Sequence, residues 1–257
     1  MKPSSLDNPV WSSMAGAHAG LATLAGPDGA VGAGAGAAAA TSAGAGRYRR
    51  DVCPFGGLAD DTDPACWAAL DALLEGHGVA LIASPDDVPE SWEITFTIEG
   101  VQMVGTGLMD AVDPEAVALG DSDVADMLGL IERAQPGPFL ERTIEMGNYI
   151  GLRREGSLIA MAGERLHPEG WTEISAVCTD EAYRSTGLGT RLVRAVAAGI
   201  RARGEEPFLH ASATNLNAIR LYEAIGFELR RRVDFTGVRR ERPPSCGSGS
   251  EGATSGR

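Results

Sequence analysis

A glycine-rich turn, Arg184-Ser185-Thr186-Gly187-Leu188-Gly189, separates a strand-like run, Trp171 to Thr179, from a segment in which Leu188, Leu192, Val196 and Ile200 recur at every fourth position. That spacing predicts an α-helix with one apolar face, stopped at Gly204. Such a turn at a strand-to-helix junction presents successive unpaired N–H groups at the positive end of the helix, which is what cradling a pyrophosphate requires. Gly187 and Gly189 let an anion approach the backbone, Arg184 adds positive charge, and Ser185, Thr186 and Thr190 add hydroxyl donors. By itself such an element also reads as a plain strand-to-helix turn, and two other phosphate loops are excluded. A Walker loop needs Gly-Lys-Ser/Thr, and Leu188-Gly189-Thr190 brings no lysine. A dinucleotide fingerprint needs a third glycine where Leu192 stands, and a parallel crossover that hairpins do not supply.

Upstream of the turn, Ser122 or Asp121 caps a predicted helix with Val124, Met127, Leu128 and Ile131 on its inner side. Pro136 and Pro138 end it and open a shorter helix closed by Gly147. Segments 149–152, 157–166 and 171–179 then read as antiparallel strands joined by hairpins. Downstream come a strand over 207–212, an amphipathic helix over 215–225 closed by Gly226, and the last sheet segments over 227–238. The expected class is α+β.

The 257 residues, 44% of them apolar and 22% charged, suffice for a real core in one or two domains. Against 22 Lys and Arg stand 35 Asp and Glu, a formal charge of −13 that argues against nucleic-acid binding by phosphate neutralisation and favours cationic partners. Cys53, Cys66, Cys178 and Cys246 form no C-x-x-C pair, so reduced thiols and a cytoplasmic location are expected, with no metal site. No run of about 18 apolar residues is present, and the N-terminus lacks the apolar centre of a signal peptide, so no membrane association is expected.

Five segments follow from composition. Residues 1–14 are an N-terminal segment whose Val10 and Trp11 either dock or fray. Residues 15–46, nearly all Ala and Gly, read as a flexible linker or insertion, because ordering them costs entropy with little burial in return. Residues 47–108 form a small α/β half, with a helix from Pro64 to Leu74 and strands over 78–83 and 92–98. That half contains no nucleophile–base pair, metal spacing or phosphate loop. Residues 109–240 carry the chemistry, and 241–257 read as a disordered tail.

The run T-E-I-S-A-V-C-T, then R-S-T-G-L-G, then N-L-N-A-I-R-L-Y-E-A-I-G-F resembles the GNAT superfamily of acyl-CoA-dependent N-acyltransferases over roughly residues 111–240. The family's Gln/Arg-x-x-Gly-x-Gly/Ala loop is matched by Arg184, Gly187 and Gly189. Its later motif is matched by Asn215, Ala218, Leu221, Tyr222, Glu223, Gly226 and Phe227. The resemblance implies a mixed, mostly antiparallel central sheet flanked by helices. The smaller N-terminal half is then readable as a degenerate copy that has lost the loop, packed side by side with the catalytic unit.

It also implies acetyl-CoA as acyl donor and a primary amine of a small molecule or peptide as acceptor, reacting by direct attack in a ternary complex. The protein would be a monomer or homodimer. The pyrophosphate would lie on Arg184, Ser185, Thr186, Gly187, Leu188, Gly189 and Thr190. Backbone groups near Val177, Cys178 and Thr179 would pair with the pantetheine arm, an N–H of Val177 or Cys178 would stabilise the oxyanion, and Asn215 would bond the pantetheine or its sulfur end. Tyr222 is expected to protonate the departing thiolate, a phenol of pKa about 10 being protonated where a thiol of about 8.5 titrates; the other reading is a core tyrosine. Glu173 is expected as the base, its pKa raised by Trp171 and Ile174; it reads equally as a strand carboxylate or a substrate-binding anion. Cys178 has no recognisable activating partner, and His210 reads as a sheet residue. The competing function is a catalytically silent CoA-binding sensor.

Overall fold

The computed structural model describes residues 4–26, 30–33 and 43–240; the tail expected over 241–257 lies outside them, as does Cys246. After a 3-10 turn at Ser5–Asp7 the chain forms helix α1 (Pro9–Ala15) and strands β1 (Ala22–Ala25), β2 (Val31–Ala33), β3 (Ala45–Tyr48) and β4 (Gly56–Leu58). Helix α2 (Pro64–Leu74) and strands β5 (Val79–Ile82), β6 (Trp92–Val104) and β7 (Val117–Leu119) follow. Then come helix α3 (Val124–Ala134), strands β8 (Tyr149–Arg154), β9 (Ser157–Glu164) and β10 (Trp171–Thr179), helix α4 (Leu188–Ala202), strand β11 (Glu206–Ser212), helix α5 (Leu216–Ala224) and strand β12 (Glu228–Arg240).

The large sheet has eight strands in the order β5-β12-β6-β11-β10-β9-β8-β7, and a smaller sheet has four in the order β2-β1-β3-β4. In the large sheet β10 and β11 run parallel, and the other pairs are antiparallel. This is the expected mixed sheet flanked by helices. Helix α4 buries Leu188, Leu192, Val196 and Ile200 in a cluster with Leu152, Ile159, Ile174 and Leu209. Each such side chain contributes about 1.5–3 kcal/mol. Helix α3 belongs to a separate cluster, in which Met127 and Leu130 pack with Leu158, Met161 and Cys178.

The N-terminal half departs from the side-by-side expectation. Its strands β5 and β6 belong to the large sheet itself, with β6 inserted between β11 and β12 and hydrogen-bonded to both. The strand expected over 92–98 continues to Val104. Gly100 and Gln102 interrupt its apolar pattern for reasons the fold supplies: a Cβ at Gly100 would stand 2.6 Å from Phe235 Cε2, and the buried Gln102 amide is fully engaged.

The Ala/Gly-rich stretch is corrected where it is described. It carries strands β1 and β2 and the start of β3, with Leu24, Ala25 and Ala45 buried. Its residues are small because layers meet closely there: a Cβ on Gly46 would lie 2.6 Å from Leu24 Cδ2 and 3.2 Å from Met14 Cε. Helix α1 docks, burying Val10 and Met14, while the Asn8 amide donates to Leu58 O at 2.7 Å. His18 is also buried. Its Nε2 lies 2.9 Å from Met146 O, which only accepts, so Nδ1 accepts from the Tyr48 hydroxyl at 2.9 Å. Burial, with the neighbouring His167, pushes this imidazole down to about 4.

Among the described residues no helix is long and apolar enough to cross a membrane, and no group of His, Cys, Asp and Glu is arranged to hold a metal ion.

Candidate active site

Strands β10 and β11 pair only at Trp171–Glu206, Thr172–Pro207 and Glu173–Phe208. Beyond Glu173 the ladder ends, which opens a wedge in the sheet. On its other side β10 pairs with β9 through Ile174, Ser175, Cys178 and Thr179, with a register shift between Ser175 and Cys178 and a left-handed Ala176 at φ 51°. Ala176 and Val177 therefore have no ladder partner in either neighbouring strand. A bulge of this kind re-aims backbone groups and leaves them available to a ligand.

The turn after β10 delivers the chain to α4. Gly187 is the N-cap of that helix at φ 83°, a conformation that favours glycine, and no side chain caps the helix there. Space beside Gly187 is open, and a Cβ added to Gly189 would stand 3.9 Å from Val177 Cγ1, which ties this turn to the bulge. Arg184 and Ser185 are exposed, and Leu188 buries its side chain while standing in the first turn of the helix. One expectation is adjusted: the Thr186 hydroxyl donates to Tyr183 O at 2.5 Å and is not free to donate elsewhere. Cys178 turns its thiol under α3, where burial pushes it up to about 12, too high for a nucleophile near neutral pH.

The wedge opens into a cavity of about 770 Å³. Ile174, Ser175, Ala176 and Val177 line one wall, and Ala211, Ser212, Asn215 and Tyr222 the facing one; Cys178, Thr179 and the 184–190 turn lie outside this lining. Tyr222 packs edge-on against Phe227 at 5.8 Å between ring centres, and burial pushes its hydroxyl up to about 12. The phenol is thus protonated at neutral pH and has a proton to donate. Asn215 caps α5, its Oδ1 accepting from Ala218 N at 3.1 Å.

Glu173 is corrected as a base. Its side chain is fully buried, and Arg165 grips both carboxylate oxygens, Nε to Oε2 at 2.8 Å and Nη2 to Oε1 at 2.6 Å. His210 Nδ1 lies 2.7 Å from Oε1. Burial alone would raise this carboxyl, but the Arg165 charge and these hydrogen bonds outweigh it and hold the group well below the usual carboxylate range. The direction is opposite to that expected from Trp171 and Ile174. A carboxylate stabilised in its charged form in this way is a weak base; its oxygens are engaged by Arg165 and His210, and it is not part of the cleft lining.

His210 is itself fixed. Arg230 Nη1 donates to Gln102 Oε1 at 2.8 Å, so the Gln102 NH₂ donates to Leu6 O at 3.0 Å and to His210 Nε2 at 3.1 Å. The histidine is held as the Nδ1–H tautomer, donating to Glu173. Arg165 also stacks over Phe55 at 5.1 Å, and Phe55 over Phe235 at 6.2 Å. These cleft residues escaped the sequence reading. The adjacent Glu164-Arg165 pair interrupting an apolar run was a usable signal of buried, paired charge; Phe55 and Phe235 gave none, because only the sheet order brings them together.

Comparison with known proteins bears on the family and the fold. The family model described as FR47-like protein matches residues 149–235. The chain is 30% identical over 97 residues to spermine/spermidine N(1)-acetyltransferase of Bacillus subtilis, covering 34% of this chain and 64% of that protein. It is 36% identical over 91 residues to the N-alpha-acetyltransferase RimI of Mycobacterium tuberculosis, covering 33% and 56%. The matched region thus spans less than two thirds of these relatives. A crystal structure of a putative acetyltransferase of the GNAT family from Novosphingobium aromaticivorans is 34% identical with a TM-score of 0.79, covering 93% of this chain and all of that one. A GCN5-related N-acetyltransferase from Kribbella flavida shares the fold at 17% identity and a TM-score of 0.53, covering 91% of this chain and 96% of that one.

Proposed function

Because the chain belongs to the GNAT superfamily of acyl-CoA-dependent N-acyltransferases, we propose that it transfers the acetyl group of acetyl-CoA to a primary amine of a small molecule or peptide, by direct attack in a ternary complex. The observation that carries this reading is the unladdered backbone at Ala176 and Val177, set between a cleft on one side and an uncapped helix terminus on the other. These features fit a long donor with a diphosphate at one end and a thioester at the other.

Acetyl-CoA supplies the activated carbonyl. The first-turn N–H groups of α4, from Leu188 to Thr190, hold the diphosphate, with Arg184 beside them. The bulge pairs with the pantetheine arm as a strand would, and the Val177 N–H stabilises charge developing on the carbonyl oxygen. Tyr222 hands its proton to the departing sulfur.

The amine must arrive neutral. No Asp or Glu lines the cleft, whereas Arg47, Arg50 and Arg165 do. Positive charge and apolar walls both disfavour an ammonium ion, so the cleft itself lowers the amine's pKa and the proton leaves to water. A reducing compartment such as the cytoplasm fits the three free thiols among the described residues.

The test is incubation with acetyl-CoA and a panel of amines, reading free thiol. Acceptor-dependent release supports transfer. Tight CoA binding by calorimetry with no release under any acceptor favours the silent sensor, and absence of CoA binding defeats both readings.

A further inference from the structure

The chain is acidic overall, yet the cleft has the opposite sign. Across the sheet from the wedge, where β5 is the edge strand, β12, β6 and β11 separate it from β10 and Phe55 bridges to Ala80, the cavity wall carries Arg47 and Arg50. These two differ from Arg165, whose charge is matched by Glu173. Arg47 donates through Nε to Leu73 O at 2.9 Å and through Nη1 to Tyr48 O at 3.4 Å, and Arg50 through Nη2 to Leu74 O at 3.5 Å. All three acceptors are neutral carbonyls, two of them at the C-terminal end of α2. A guanidinium carries five N–H donors, so both side chains keep donors beyond these bonds. Burial and then the Arg50 charge push Arg47 down, with Glu75 pulling the other way, so the half-buried Arg47 is repelled by its exposed neighbour Arg50. A third party of negative charge relieves that repulsion.

We propose that the acceptor is an amine carrying an oxyanion, a carboxylate or phosphate, which Arg47 and Arg50 hold at the end of the cleft remote from Val177 and Tyr222. The aromatic stretch between the two ends fits an apolar body linking amine and anion. A polycationic acceptor is disfavoured, since the lining offers it no carboxylate. This inference rests on the donor occupying the wedge, as argued under the proposed function.

The experiment uses the full chain loaded with CoA. Phenylacetate, 3-phenylpropionate and 4-phenylbutyrate are titrated by calorimetry against the matching amides and against spermidine, and the first of these series is repeated with phenylphosphonates to separate carboxylate from phosphate selection. At least one anion should bind ten-fold or more tighter than its amide, and spermidine should bind worst. Arg50→Gln, a change at an exposed side chain, should remove most of the preference for the anion while CoA affinity is retained. Equal binding of acids and amides, no binding of either, or stronger binding of spermidine overturns the proposal. A loss of CoA affinity in Arg50→Gln also overturns it, by assigning the arginines to the donor's phosphates. Failure of CoA to bind the parent chain instead removes the premise beneath it.

Discussion

Arg165 meets Glu173 through two parallel hydrogen bonds of 2.8 and 2.6 Å, in a place where the carboxylate is wholly shielded from water. The pair sits where β10 and β11 part, so the last rung of the ladder is braced by charge.

Replacing one member of a buried ion pair leaves the other uncompensated, at a cost of about 3–5 kcal/mol. Glu173→Gln is therefore expected to lower the unfolding free energy by that order, measured by urea titration. Because the folded group sits below its ordinary range, its contribution is present above about pH 4.5 and is lost as pH falls. The variant should accordingly show a flatter decline of stability below pH 4.5 than the parent. The ascending limb of the kcat/KM profile should follow the pKa of whichever free amine is supplied and not shift in the variant.

Tyr222→Phe keeps the ring that packs on Phe227 and removes only the hydroxyl. CoA affinity by calorimetry should hold, while kcat falls by about a hundredfold, the lower reach of general acid catalysis. Parental turnover at every pH would remove Tyr222 as the acid.

Gly187 has open space around it, so the penalty of a side chain there is conformational: φ 83° costs an L-residue about 1–2 kcal/mol. Gly187→Val is expected to weaken CoA binding at least tenfold and to lower the unfolding free energy by only about that 1–2 kcal/mol, since no packed neighbour is displaced.

His18 makes acid stability testable away from the cleft. Its folded value of about 4 lies below the 6.5 of an ordinary imidazole, so the unfolded chain takes up the proton first. Its contribution is complete above pH 6.5 and is lost as pH falls through 4, a swing of about 3 kcal/mol. Stability measured from pH 7 to pH 4 should fall more steeply in the parent than in His18→Asn.

What the sequence made legible was local. The apolar face of α4, the turn at Gly187 and the helix over 215–225 follow from spacing and turn chemistry, while the motif holding Asn215 and Tyr222 came with the family resemblance; the structure forms each of these elements where expected. Long-range pairing left no such trace. Glu173 looked available because its partner Arg165 is eight residues away across a hairpin, and its second partner, His210, thirty-seven away. The Ala/Gly tract looked unstructured because small side chains resemble a linker in composition, although here they permit close layers. Arg47 and Arg50 reach the cleft only through the docking of the small sheet against β5, where Phe55 bridges to Ala80.

Strand β6 gives the molecule an inseparable architecture. It shares rungs with β11 on one edge and β12 on the other, so the segment following the cationic end of the cleft is woven into the same fabric as the motif around Asn215 and Tyr222. Neither part can be transplanted alone, and grafting residues 109–240 onto another scaffold would expose three raw strand edges, one on β11 and both on β12. Any drift in what the distant chamber accepts has to occur by side-chain exchange on a lattice whose spacing is already set.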